Sequence, residues 1–168
     1  MATSIYITSA EGHSGKSSIA LGVLDTLMRE APRVGVFRPI ARSSEDRGDY
    51  VLELLLAHDG VDLDYEECIG VTYEEVHDDA DAALAKIVER FKAVEAKCDA
   101  VVIVGSDYTD VGSPTELSFN ARIAANLGTP VLLVLTGREL DESRARTADE
   151  LRQVADLALP ELLSLIHI

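Results

Sequence analysis

The stretch Ala10-Glu11-Gly12-His13-Ser14-Gly15-Lys16-Ser17 fits the pattern of a phosphate-binding loop, with alanine in place of its first glycine. It follows a β-rich run, Ser4–Thr8, and opens an apolar-periodic segment, Lys16–Glu30, whose spacing predicts a helix. A phosphate loop functions at this place, between a strand and the helix that follows it. The sequence therefore predicts such a loop and a helix that begins within it.

The residues of this loop have the chemistry that a nucleotide requires. Gly12 and Gly15 allow the backbone to curl until successive N–H groups point at one anion, and the helix start adds partial positive charge. Lys16 is expected to reach the β- and γ-phosphates of ATP, and Ser17 to ligate Mg²⁺. His13 and Ser14 complete the expected nucleotide-binding residues.

Two other interpretations of the loop stay open from the sequence. In the first, the stretch is only a glycine-containing turn whose lysine is solvated. In the second, the loop is present but binds nucleotide weakly or not at all, because Ala10 removes one glycine. Glu11 and His13 would also place an acid and a bulky ring beside the phosphates.

Strands and helices alternate along the rest of the chain. Further strands are predicted at Arg33–Phe37, Ile69–Thr72, Asp99–Val104 and Pro130–Leu135, and further helices at Asp49–His58, Asp78–Ala96, Ser113–Gly128 and Asp141–Leu159. This alternation implies a doubly wound, mostly parallel α/β sheet, and with the loop it indicates a P-loop NTPase-like fold. We expect one such domain over residues 1–160.

The last residues, 161–168, form an apolar tail with no following turn or polar cap. A terminal strand, the cut edge of a longer protein and foreign sequence are three interpretations that the residues leave open. The fold is expected to be truncated at this end.

Composition limits the classes of partner. The 168 residues contain 30 acidic against 15 basic side chains, a formal net charge of −15, which repels nucleic acids and anionic membrane surfaces. The apolar runs Ala100–Val104 and Val131–Leu135 are far too short to span a bilayer. Neither Cys68 nor Cys98 lies in a CxxC motif or near a His–Cys cluster, so free thiols and a cytoplasmic location are expected.

Three further candidates lie where predicted strands end, at the sheet edge where ligands bind in open α/β folds. Arg38 follows the second strand and can bind an anion, with surface ion pairing as the alternative. Asp49 begins the next predicted helix, where it can hold Mg²⁺ or complement the helix dipole. Asp107 lies beyond the strand that ends at Val104, as a second metal carboxylate or a loop cap.

Several blocks of sequence together resemble one family, the N-terminal domain of long bacterial phosphate acetyltransferases, with an actinobacterial character. The blocks run in register from Ile5 to Leu135 and comprise Ser14-Gly15-Lys16-Ser17, Val34-Gly35-Val36-Phe37-Arg38-Pro39-Ile40, Asp49-Tyr50-Val51-Leu52-Glu53-Leu54-Leu55, Val104-Gly105-Ser106-Asp107-Tyr108-Thr109, Pro114-Thr115-Glu116-Leu117 and Phe119-Asn120-Ala121-Arg122-Ile123-Ala124.

That domain is similar in turn to dethiobiotin synthetase, an ATP- and Mg²⁺-dependent ligase. The resemblance gives Lys16 and Ser17 phosphate and metal roles and gives Asp49 a metal role. Two departures argue against ligase activity. Arg38 replaces a lysine of the synthetase. The synthetase also has a glycine-rich block that contains a glutamate, and at that place this chain keeps only the acidic residue Asp107.

The resemblance implies a regulatory or assembly domain rather than a catalyst. Acetyl transfer between coenzyme A and phosphate would occur in a C-terminal domain, which is the expected partner, within a homo-oligomer. No catalytic residue is expected in these 168 residues. A stand-alone ligase of the dethiobiotin synthetase type and a non-catalytic assembly module with a relic loop are the alternatives.

Overall fold

A computed structural model describes residues 2–12, 14–42, 48–106, 116–139 and 144–164. Strands and helices alternate through these ranges. The strands are β1 (Thr3–Ser9), β2 (Val34–Ala41), β3 (Ile69–Thr72), β4 (Ala100–Val104) and β5 (Val131–Val134). The helices are α1 (Lys16–Met28), α2 (Tyr50–Leu56), α3 (Tyr73–Asp78), α4 (Ala80–Glu95), α5 (Glu116–Leu127) and α6 (Ala148–Ser164), and a single 3₁₀ turn spans Tyr65–Glu67.

The strands form one parallel sheet in the order β3-β2-β4-β1-β5. Strand β1 lies between β4 and β5, with Ile7 paired to Val104 and Ser9 to Val134. The segment that follows β1 therefore emerges between the carboxyl ends of its two neighbours. The predicted doubly wound α/β fold is confirmed.

Alternate residues of the central strands supply two separate cores. On one face Tyr6, Phe37 and Ile103 pack against α4 and α5, and the Phe37 ring meets Phe91 edge to face at 5.6 Å between centroids. On the other face Ile7, Val36 and Val102 pack against α1 and α2 through Leu24 and Leu52. Burial on both faces explains why these strands read as continuous apolar runs.

Strand β2 continues four residues beyond its predicted end at Phe37. The extension pairs with the edge strand β3, Arg38 opposite Ile69 and Ile40 opposite Val71. A short helix, α3, was not predicted, although Thr72 and Glu75 form a reciprocal capping box at its start.

The last helix begins and ends later than predicted. Its start at Ala148, instead of Asp141, follows an antiparallel bridge between Arg138 and Ala145. It continues past Pro160 to Ser164, and Leu162 is buried within it. Residues 161–164 thus continue a helix instead of starting a terminal strand, and residues 165–168 lie outside the described part. The boundary at 160 stays a prediction.

Within the described ranges, no helix combines the length and the apolar character needed to cross a membrane.

Two glycines give a test of the packing. An added Cβ at Gly70 would lie 2.3 Å from the Pro39 carbonyl oxygen, whereas at the helical Gly22 it would meet nothing within 4 Å. We expect Gly70→Ala to lower the free energy of unfolding by about 1–3 kcal/mol, because backbone must move. Gly22→Ala should raise it by about 0.5–1 kcal/mol. Urea denaturation of both variants measures the change in the free energy of unfolding. If Gly70→Ala leaves it unchanged, the close packing of β3 against β2 is contradicted.

The two cysteines are free thiols with different surroundings. Cys68 is fully buried, and burial raises the pKa of its thiol to about 12. Burial also raises the pKa of the half-buried Cys98. At pH 8 the folded protein should react slowly with a disulfide reagent, and Cys98 should react before Cys68. The single variants Cys68→Ala and Cys98→Ala assign each reaction rate to one thiol. Protein unfolded in guanidinium gives the rate for fully exposed thiols.

Candidate functional site

The loop after β1 leads directly into α1. Gly15 adopts a left-handed conformation, φ 78°, and its carbonyl accepts the first helical hydrogen bond, from Ile19. This conformation suits glycine because it has no Cβ. Among the described residues no side chain caps α1, and its first turn contains no acid. The N–H groups of that turn are therefore suited to bind an anion.

Lys16 is held across the edge of the sheet. Its side chain is only 3% exposed, and Nζ donates to the carbonyl oxygens of Gly105 and Ser106, at 2.6 Å each. Those carbonyls follow the end of β4, the strand that neighbours β1. The alternative of a solvated lysine is therefore wrong. The ammonium group lies where the phosphate loop and the carboxyl end of β4 meet.

Arg38 reaches the same place from β2. Its guanidinium is buried, donates from Nη1 to the carbonyl oxygens of Val104, at 3.1 Å, and of Gly105, and donates from Nε to Asp49 Oδ2 at 3.1 Å. The surface ion pairing that the sequence allowed is therefore wrong. Because burying both charges removes their hydration, the pair depends on these hydrogen bonds.

Asp49 is the N-cap of α2. Its Oδ1 accepts from the Leu52 N–H at 3.1 Å, and Oδ2 accepts from Arg38 and, at 3.4 Å, from the Arg42 N–H. Its own N–H donates to the Tyr65 hydroxyl at 2.5 Å. The helix-start role is confirmed, and the metal role predicted for Asp49 stays a prediction.

The other predicted ligands are placed as follows. Gly12, Ser14 and Ser17 are partly buried in the loop and in the first turn of α1. His13 and Asp107 lie outside the described residues, so their roles stay predictions. In the part of the chain that the structure describes, no cluster of three or more His, Cys, Asp or Glu side chains is placed to hold a metal.

Sequence reasoning missed the partner of Glu11. The Arg146 guanidinium binds the Glu11 carboxylate through two hydrogen bonds, Nη1 to Oε2 at 2.6 Å and Nη2 to Oε1 at 2.7 Å. The sequence predicted an acid beside the phosphates, and the structure pairs that acid with a cation. Because the two residues are 135 positions apart in the chain, no local sequence pattern could predict this pair.

Asn120 was missed as well, although it lies inside one of the blocks that resemble the acetyltransferases. It is fully buried, and its Oδ1 accepts from the Tyr6 hydroxyl at 2.7 Å and from the Ser106 N–H at 3.1 Å. An added Cβ on Gly105 would lie 2.3 Å from that oxygen, so glycine is required there. Asn120 thus fixes the backbone whose carbonyls hold Lys16.

The tyrosines around Asn120 are not suited to act as bases. Burial raises the pKa of Tyr6 far above its ordinary value and that of Tyr73 to about 12. Both hydroxyls therefore stay protonated and serve as hydrogen-bond donors, Tyr73 to Glu116 at 3.2 Å. Neither hydroxyl is therefore suited to accept a proton from a ligand.

The Asn120 network has a measurable contribution to stability. We expect Asn120→Ala to lower the free energy of unfolding by about 2–4 kcal/mol, because the buried Tyr6 hydroxyl and Ser106 N–H lose their acceptor. The exposed Asn126, whose amide donates to the Arg122 carbonyl of the same helix, gives the control. Asn126→Ala should change stability by less than about 0.5 kcal/mol. Equal effects in urea denaturation would contradict the role of Asn120.

Comparison with known proteins agrees with this geometry. Residues 3–156 match a family described as AAA domain, AAA_26. The chain is 35% identical over 160 residues to a phosphate acetyltransferase of Nitratidesulfovibrio vulgaris, covering 89% of this chain and 23% of that protein. It is 29% identical over 165 residues to a phosphate acetyltransferase of Synechocystis, covering 95% of this chain and 23% of that protein.

The chain therefore spans less than a quarter of the length of these relatives. The resemblance predicted from the sequence blocks is confirmed at this level. With a parallel sheet, a phosphate loop after its first strand and a family match over residues 3–156, the chain belongs to the AAA domain family AAA_26.

Proposed function

We propose that this domain binds a nucleotide, MgATP, at residues 10–17 and serves as a regulatory or assembly domain of a phosphate acetyltransferase. One observation carries the proposal. The buried Lys16 ammonium lies between the uncapped start of α1 and the carbonyls that end β4. A buried cation beside the N–H groups of a helix start favours a multiply charged anion such as a polyphosphate.

The residues present fit such a ligand. The backbone N–H groups of the loop, including Gly12 and Gly15, would hold the phosphates together with Lys16, and His13 and Ser14 would complete the ligand-binding loop. Ser17 would hold Mg²⁺, with Asp49 and Asp107 as the proposed carboxylates. The metal, when bound, would neutralise charge on the phosphate oxygens. Arg38 supports the site from β2 by holding the carbonyls of Val104 and Gly105.

The acetyltransferase activity is proposed for the remainder of a longer protein, because this chain spans 23% of its relatives. There, a C-terminal domain would transfer the acetyl group between coenzyme A and phosphate. We propose that the domain acts by nucleotide sensing or by supporting a homo-oligomer in the cytoplasm.

Thermal unfolding with and without MgATP tests the nucleotide site. A ligand at about one hundred times its dissociation constant should stabilise the parent by about 2.7 kcal/mol. Lys16→Ala should abolish that shift, because the ammonium contacts the phosphates. Differential scanning calorimetry at several ATP concentrations gives the affinity.

Two controls separate binding from folding. Lys97→Ala removes an exposed lysine that pairs with Glu67 at 2.5 Å, and it should keep the full shift. Circular dichroism should show that Lys16→Ala is folded at the start of the melt. If the parent shows no shift at millimolar MgATP, the nucleotide proposal fails, and the loop belongs to an assembly module without nucleotide.

A further inference from the structure

An ion pair joins the phosphate loop to the segment that precedes the last helix. Glu11 precedes Gly12 in the loop, and its carboxylate is bound at both oxygens by Arg146, at 2.6 and 2.7 Å. The two side chains are largely shielded from water, Arg146 9% and Glu11 16% exposed. Two parallel hydrogen bonds fix the orientation of the carboxylate relative to the guanidinium, in addition to the attraction between the opposite charges.

Arg146 is itself anchored to the segment that follows β5. Its backbone N–H donates to the Gly137 carbonyl at 2.8 Å, and Nη1 also donates to the Thr136 carbonyl at 3.2 Å. The neighbouring antiparallel bridge joins Arg138 to Ala145, so that residues 136–139 lie beside residues 144–147. Because β5 pairs with β1, residues 136–139 and the phosphate loop leave the same edge of the sheet side by side. The guanidinium is therefore held in place before any ligand arrives.

The charge of the loop depends on this contact. An unpaired carboxylate at Glu11 would repel a polyphosphate, and repulsion acts over several ångströms at a partly buried site. With Arg146 in place, the two side chains are together neutral, and both carboxylate oxygens are bound to the guanidinium. The loop then offers the phosphates its N–H groups and Lys16, with the charge of Glu11 neutralised.

We propose that Arg146 is a positioning residue that neutralises Glu11 and so makes the phosphate loop accept a polyphosphate. The proposal rests on the proposed function for the class of ligand, and it adds a specificity element at a position outside the loop. It assigns opposite effects to the two partners. Loss of Arg146 exposes a negative charge, whereas loss of the Glu11 charge leaves a positive one.

Isothermal titration calorimetry with magnesium tripolyphosphate and with MgATP tests these signs. Arg146→Gln should weaken both affinities about tenfold. Glu11→Gln should leave them unchanged or tighten them, and the double variant Glu11→Gln with Arg146→Gln should return to within about threefold of the parent. Arg146→Lys, which keeps the charge, should also stay within about threefold. The difference between the single variants should shrink in 1 M salt.

A second bidentate pair supplies matched controls. Arg33 binds Asp99 at 2.9 and 3.1 Å at the opposite, amino edge of the sheet. Arg33→Gln and Asp99→Asn make the same charge changes and should alter the affinities less than about twofold, because they act from the opposite edge of the sheet and are screened by salt.

Three results would overturn the proposal. They are a Glu11→Gln variant as weak as Arg146→Gln, an Arg146→Gln variant no weaker than Arg33→Gln, and a parent that takes up neither ligand. If Arg146→Gln does not fold, Glu11→Gln and Arg146→Lys still decide, since a purely structural pair would make both of them weak. Uptake of tripolyphosphate with the expected signs but no uptake of MgATP would support the proposal and overturn nucleotide binding.

Discussion

The backbone carbonyl of Gly105 is where the site is held together. It accepts hydrogen bonds from Lys16, at the start of α1, and from Arg38, on β2. Two cations share one oxygen because β4 lies between β1 and β2 in the sheet. The carbonyls of Val104 and Ser106 extend the contact on either side. The end of β4 thereby positions both the phosphate loop and the arginine.

The same peptide segment is fixed from the opposite side by a neutral network. Asn120 accepts from the Ser106 N–H, donates to the Ser106 hydroxyl and is bound by Tyr6. No side chain at position 105 fits beside the Asn120 amide, so glycine and asparagine constrain each other. Buried polar groups of this kind stabilise one arrangement strongly, since every alternative leaves a donor or acceptor unpaired.

Charge is distributed unevenly in this molecule. The chain has a net charge of −15, yet the cations Lys16 and Arg38 are buried at the carboxyl edge of the sheet, with Asp49 bound to one of them. An acidic protein can attract a polyphosphate only through such a local site, because its long-range field opposes approach. Pairing of Glu11 with Arg146 fits the same requirement.

The sequence by itself determined the parallel α/β fold, the position of the phosphate loop and the start of α1 at Lys16. These follow from local signals, which are the spacing of apolar residues, the glycines of the loop and the alternation of strands with helices. The resemblance to phosphate acetyltransferases also came from contiguous blocks of residues. Tertiary structure alone decided the partners of the buried polar groups, namely Arg38 with Asp49, Tyr6 with Asn120 and Glu11 with Arg146. It also decided the extension of β2 beside β3. Each of these depends on strand order and register, which bring distant residues together and which no short-range pattern specifies.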